Sequence, residues 1–178
     1  LIQSPTERYI FMQAYSETAI RKSFINCTKG ASQRINIPKE VLNSEWENQI
    51  FLSWTDPKAP QSAYIVAETS QGLQGLVMER KKSPAKGGAR MCQFCLTLHS
   101  SSGVSMMSIP TAKSSQENYG SIGTYICTDL DCADYVWGKK KPEGIRQMEE
   151  SLSLEEKINR TLSHVQGLIE RLAESLKK

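Results

Sequence analysis

The chain has 178 residues, with 22 Lys and Arg against 19 Asp and Glu, for a formal charge of +3. This length accommodates one ordinary domain or two small ones. Hydrophobic residues at 39% and charged residues at 23% suit a soluble globular protein, while aromatics at only 7% argue against one large core. No run of about 18 apolar residues occurs, which excludes a helical membrane span, and the mild positive charge leaves anionic and protein partners open.

The opening residues 1–13, LIQSPTERYIFMQ, carry no basic segment followed by an apolar stretch. No signal peptide is expected, although a chain that does not start at Met leaves room for one already removed. Ser4, Pro5 and Glu7 have the order of an N-cap, a first helical position and a capping box. Ile10, Phe11, Ala14 and Tyr15 then share a helical face. Ser16 offers a second N-cap, with Ile20 and Phe24 one turn apart, so one helix and two helices are both open. Residues 28–56 read as irregular, with Gly30, Pro38 and Asp56-Pro57, apart from a short helix from about Pro38 to Trp46. Residues 63–68 and 73–79 have strand character and flank a turn at 69–72, which predicts a hairpin.

Residues 80–90 form a basic connector bearing Pro84, Gly87 and Gly88. It is the best place for a boundary between an N-terminal region, 1–85, and a second domain, 86–178. Past it, residues 104–109 and 122–127 read as strands separated by a polar loop. The last segment is the clearest helix. Ser153-Leu-Glu-Glu156 is a capping box, and Leu154, Ile158, Leu162, Val165, Leu168, Ile169, Leu172 and Leu176 recur at three- and four-residue steps. Glutamates in its first turn and Lys177-Lys178 at its end suit the helix dipole. A helix of that length must dock, and docking within the chain is the expectation.

Five cysteines are present, and four fall in two close pairs. Cys92-Gln-Phe-Cys95 lets two sulfurs turn toward one point. Cys127-Thr-Asp-Leu-Asp-Cys132 supplies a second, wider pair. An odd total with paired spacing favours reduced thiols and a metal over a secreted disulfide framework. Four thiolates around one Zn2+ make a closed, structural site with no position left for water. A redox dithiol would share the C-x-x-C spacing, but no βαβ pattern surrounds it; an iron–sulfur cluster and disulfide pairing are the other readings. A knuckle at 92–95, a hairpin, and a short helix at 133–137 that begins beside Cys132 is the treble-clef arrangement. The fold class expected is therefore α+β: an N-terminal helical segment, a small antiparallel sheet, a treble-clef zinc finger and a long C-terminal helix.

Four thiolates on Zn2+ carry a net charge of about −2, which Arg90 and Lys139, Lys140 and Lys141 are placed in sequence to offset. His99, four residues after Cys95, is either a replacement ligand or a surface histidine. His164 falls on the last helix as a structural or exposed residue, and Cys27 reads as a buried small apolar residue. The scattered Ser, His and Asp form no triad, and no phosphate loop, dinucleotide fingerprint or metalloprotease motif occurs. No enzymatic activity is expected.

Arg90-Met-Cys-Gln-Phe-Cys95, Gly103-Val-Ser-Met-Met-Ser108 and Gly123-Thr-Tyr-Ile-Cys-Thr-Asp-Leu-Asp-Cys132 together resemble the treble-clef domain of FBP-type proteins, a family that includes the FusB-type elongation factor G-binding proteins. Upstream, Ser23-Phe-Ile-Asn-Cys-Thr-Lys-Gly30, Phe51-Leu-Ser-Trp-Thr-Asp-Pro-Lys-Ala-Pro60 and Ala63-Tyr-Ile-Val66 resemble the shorter members, so the likeness covers roughly residues 16–170. It implies a bacterial cytoplasmic protein that binds elongation factor G and modulates its release from the ribosome. It further implies factor contacts around the first knuckle and on the loop before the third ligand, where Met91, Lys113 and Tyr119 stand. The chain departs from FusB-type proteins in lacking most of their N-terminal helical bundle and in a second cysteine spacing shorter by one residue. The other reading is a ribosome- or RNA-binding zinc protein, suggested by the basic residues at 80–90 and 139–141 near Tyr135 and Trp137.

Overall fold

A computed structural model describes residues 12–82, 87–113 and 120–178. The expected helix over Ser4 and Glu7 lies outside them. Residues 12–16 fall in neither helix nor strand, so Ala14 and Tyr15 do not continue a helix. Their hold on the fold is polar instead: the Tyr15 hydroxyl and the Gln13 amide both donate to Glu68, at 2.8 and 2.9 Å. Helix α1 (Glu17–Ser23) starts where Ser16 accepts from the Ala19 amide, so the second N-cap is the one used. Two short helices follow, α2 (Lys29–Gln33), capped by the Thr28 hydroxyl, and α3 (Lys39–Leu42), which starts after Pro38.

Among the described residues seven strands come next. They are β1 (Leu52–Asp56), β2 (Ala59–Thr69), β3 (Gly72–Arg80), β4 (Arg90–Met91), β5 (Leu98–His99), β6 (Val104–Pro110) and β7 (Ser121–Cys127). Helix α4 (Cys132–Trp137) and helix α5 (Leu154–Ser175) complete the chain. Strands β1, β2, β3, β6 and β7 form one antiparallel sheet in that order, and β4 pairs only with β5. The boundary expected at 85/86 lies between β3 and β4, and strands from both sides of it share this sheet. Helix α2 and strand β1 fall in the segment read as irregular, so that reading is corrected. Both are too short to carry a hydrophobic period of their own.

Strand β2 explains the architecture. Alternate side chains leave a strand on opposite faces, and β2 is apolar on both. Ala63, Ile65 and Ala67 join a buried cluster with Leu76, Met78, Met107, the four paired cysteines and the inner face of α5. Tyr64 and Val66 join a second cluster with Ile20, Phe24, Ile35, Leu52 and Trp54. The sheet is thus a wall between two modest cores, which is how a chain with few aromatics fills its interior. Gly75 permits the close approach of α1 to the second face. A Cβ there would lie 2.8 Å from Ser23 Oγ and 3.0 Å from the Phe24 ring.

Helix α5 docks within the chain, burying Leu162, Val165, Leu168, Ile169 and Leu172. Each such side chain contributes roughly 1.5–3 kcal/mol of transfer free energy. Its capping box is intact: Ser153 Oγ accepts from the Glu156 amide at 3.2 Å, and the Glu156 carboxylate accepts from the Ser153 amide at 2.6 Å. Gln166 donates to the Glu68 carbonyl at 2.8 Å, tying the helix to the end of β2.

Strands β3 and β6 pair only at Glu79–Ser108 and Arg80–Met107, then part. Asn26 fills the fork. Its side chain donates to the Val77 carbonyl at 2.9 Å and the Pro110 carbonyl at 3.1 Å, and accepts from the Val77 amide at 2.8 Å. Arg80 is not part of a solvated connector. It turns inward to donate to the carbonyls of Pro60 and Thr128, both at 2.7 Å, and burial holds its guanidinium below its ordinary pKa. No helix among the described residues is long and apolar enough to cross a membrane.

Candidate metal centre

The two cysteine pairs reach one point by different local means. Cys92 follows β4 and Cys95 precedes β5, so the short β4–β5 ladder closes a knuckle around them. Within it, the Cys92 amide donates to the Thr97 carbonyl and the Leu96 amide to the Cys92 carbonyl, each at 3.0 Å. The Phe94 amide points at Cys92 Sγ, 3.4 Å away. Cys127 ends β7, and Cys132 opens α4, where the positive end of the helix favours a thiolate. Among the described residues two non-glycines sit in the left-handed region, Leu96 at φ 58° and Leu130 at φ 61°, one in each ligand loop. Such a conformation costs roughly 1–2 kcal/mol per residue. The fold holds it where the chain must turn its sulfurs inward.

Cys92 Sγ lies 3.6 Å from Cys132 Sγ, and Cys95 Sγ lies 3.5 Å from Cys127 Sγ. All four sulfurs fall within 4.8 Å of one another, and all four residues are buried. Sulfurs on a tetrahedral zinc, with Zn–S about 2.3 Å, stand roughly 3.8 Å apart. The set fits that ion. It does not fit disulfides, whose sulfurs are about 2.05 Å apart, and the cysteines are free. Electrostatics points the same way. Hydrogen bonds from Cys127, Cys132 and Cys95 pull the Cys92 thiol far down. The Cys132 thiol is pushed up by sharing protons with Cys127 and Cys92, and by burial. Four buried sulfurs cannot all ionise beside each other unless a cation joins them.

Around the sulfurs lies a shell that the sequence did not disclose. His99 is buried, at 4% exposed, rather than a surface histidine. It is not one of the four clustered ligands: Nε2 sits 3.3 Å from Cys127 Sγ, and the Nε2–H tautomer places a donor on a thiolate there. Burial lowers its pKa, which favours the neutral ring. Its ring meets Tyr135 edge-on at 4.8 Å. Gly103 makes room for it, since a Cβ there would fall 2.6 Å from the His99 side chain. The Thr97 hydroxyl stands 3.2 Å from Cys95 Sγ.

Gln93, between the first two ligands, clamps the knuckle to β7. Its amide donates to the Tyr125 carbonyl at 2.8 Å, while its side-chain oxygen accepts from the Tyr125 amide at 2.8 Å and the Thr124 hydroxyl at 2.7 Å. Gln147 does the same for β5, exchanging two hydrogen bonds with the Leu98 backbone at 2.8 and 2.7 Å. His164 Nδ1 meets the Phe94 carbonyl at 2.9 Å, a structural role.

Two of the four cations placed in sequence to offset the site's charge have partners of their own. Arg90 lies over the Tyr125 ring, and Lys140 bridges Asp129 and Asp131 at 2.8 and 2.6 Å. Lys139 and Lys141 are exposed. Cys27 is half-buried beside the second cluster, away from the other thiols, and burial raises its pKa. Of the expected partner residues, Met91 is exposed at 38% on the knuckle. Lys113 is exposed just past the end of β6. Tyr119 lies outside the described residues.

A knuckle pair, a following hairpin and a helix that opens on the fourth ligand are the parts of a treble clef. The family model for the FBP C-terminal treble-clef zinc-finger matches residues 19–172. The chain belongs to that family. No curated protein matches it. The match begins inside α1 and runs to within a turn of the end of α5, so the family unit comprises both cores and not the zinc knuckles alone. Cys92, Cys95, Cys127 and Cys132 form its zinc-binding site, with one structural Zn2+.

Proposed function

We propose that this protein is a non-catalytic, zinc-stabilised docking module of the bacterial cytoplasm that binds elongation factor G and modulates its release from the ribosome. The observation that carries the reading is the knuckle itself. Four inward sulfurs saturate a tetrahedral ion, so the metal has no open position for water or substrate, while the same turn presents Met91 outward. The metal thus shapes a surface and performs no chemistry. Membership of the FBP family supports the choice of factor, and Lys113 and Tyr119 complete the proposed contact.

The test is calorimetric titration of zinc-loaded protein against purified elongation factor G. Micromolar binding is expected, weakened roughly tenfold, or about 1.4 kcal/mol, by Met91→Glu with zinc content unchanged. Absence of heat at micromolar concentrations would remove the factor from the proposal. A second reading rests on the exposed Lys82, Lys139 and Lys141. If ribosomal RNA is the partner, affinity will fall steeply with added salt as counterions are released.

A further inference from the structure

The outer edge of β7 carries unpaired backbone groups, and at Gly123 it borders a groove. Antiparallel pairing alternates between residues that bond across the ladder and residues whose N–H and C=O face away. Tyr125 faces away from β6, since both its backbone groups bond to Gln93. Ser121 and Gly123, at two-residue steps from Tyr125, must face away as well. Two further contacts fix this phase. Pro110, which has no N–H to give, stands opposite Ser121. Met106, opposite Tyr125, turns its carbonyl to Lys81 at 2.9 Å rather than to β7. Among the described residues nothing pairs with the outward groups of Ser121 and Gly123.

At Gly123, with Ile122 and Thr124 beside it, that edge borders a groove of about 1040 Å³, walled on its other side by Ser163, His164, Gly167 and Arg171 of α5. Ordinary defences of an exposed edge are a charge, a proline or a bulge, and Ser121-Ile-Gly123 has none of them. Gln93 already occupies the adjoining edge position as a partner strand would. Gly167 leaves its part of the wall empty, since a Cβ there would meet nothing within 4 Å. Along the wall Arg171 and Lys178 outnumber Glu174.

We infer that this groove binds an extended acidic peptide segment of a partner protein, which adds to the sheet beside β7 in line with Gln93. The backbone groups of Ser121 and Gly123 supply the pairing, as in other strand-addition complexes. Arg171 meets a carboxylate on the peptide. The inference is independent of elongation factor G, because it uses neither Met91 nor Lys113.

The experiment is amide NMR on the zinc-loaded full chain. The probe is a short capped peptide alternating valine or threonine with glutamate. The expected result is saturable shifts of the Ser121 and Gly123 amides at sub-millimolar peptide. The same peptide N-methylated at alternate nitrogens, and its lysine-for-glutamate counterpart, should each bind at least about tenfold more weakly, the loss of roughly one good contact. Gly167→Trp fills the groove from an open position and should abolish the shifts while zinc content and thermal stability hold. Four results would overturn the inference. They are an absence of saturable shifts at millimolar peptide, equal binding of the N-methylated or lysine peptide, and unchanged binding to Gly167→Trp. The fourth is β7 shifts that appear with protein concentration alone, which would make a second copy of the chain the occupant.

Discussion

Single side chains decide whether the metal is held. Cys132 is fully buried, stands at the start of α4 and lies 3.6 Å from Cys92 Sγ. Cys132→Ser removes one thiolate and leaves three that must ionise together without the fourth. Zinc content is expected to fall from about one per chain to well below half, because metal binding and folding of such a site are one equilibrium. Metal analysis after dialysis reads this directly, and a stoichiometry of one in the variant would contradict a four-sulfur site. His99 acts more gently. Replacing it with Phe keeps the edge-on packing against Tyr135 but deletes the Nε2 contact with Cys127 Sγ. Loss of such an outer-shell partner typically costs about 10–100-fold in metal affinity, to be measured by competition with a chromophoric chelator. The ligands themselves were legible, since paired cysteines announce themselves by spacing. Gln93 and Asn26 were not, and His99 was marked by its place after Cys95 but not in its role beside Cys127. Each is a lone polar residue whose role is set by a partner roughly 28 to 84 positions away in the chain, and no local pattern marks such a pair.

Elements were readable in proportion to how much period they carry. Helix α5 shows its apolar stripe over six turns and its start in a four-residue box, and β2–β3 shows a hairpin with its turn. Helix α2 has five residues and β1 has five, too few to display a face; tertiary burial makes them, with Ser32 and Leu52 inside. The capping box of α5 carries its own prediction. Ser153→Ala should cost about 1 kcal/mol in denaturant unfolding. The Glu156 carboxyl is held below the usual carboxylate range by the Ser153 amide first and its hydroxyl second. A lowered folded-state pKa contributes stability that is present above the unfolded-state value and is lost as pH falls through the lowered one. Glu156→Gln should therefore be less stable than the parent at neutral pH, and the gap should close in acid below the usual carboxylate range. A gap that stayed constant into strong acid would show that charge at the helix start is not the cause.

At the scale of the whole molecule, the metal belongs to the core rather than to an appended finger. The four cysteines share one buried cluster with Ile65, Leu76, Met107 and the leucines of α5. Tyr64 and Val66, on the other face of the same β2, hold Ile20, Phe24 and Trp54. Losing order on one face exposes β2, and β2 is the support of the other face. The sheet takes strands from both sides of the basic connector, so neither half has a complete set of strand partners without the other. Zinc removal should accordingly unfold both cores together. With a chelator titrated in, hydrogen exchange should show the amides of α1 and β2 losing protection at the same chelator concentration as those of β6, β7 and α4. Structural zinc in small zinc-finger peptides is worth roughly 10–16 kcal/mol at neutral pH, comparable to the whole roughly 5–15 kcal/mol of net stability an ordinary domain possesses, so a shared transition is what the energetics favour. If α1 and β2 instead kept full protection after the zinc had left, the N-terminal core would be an independent folding unit, and the pairing of β3 with β6 would carry no cooperative weight.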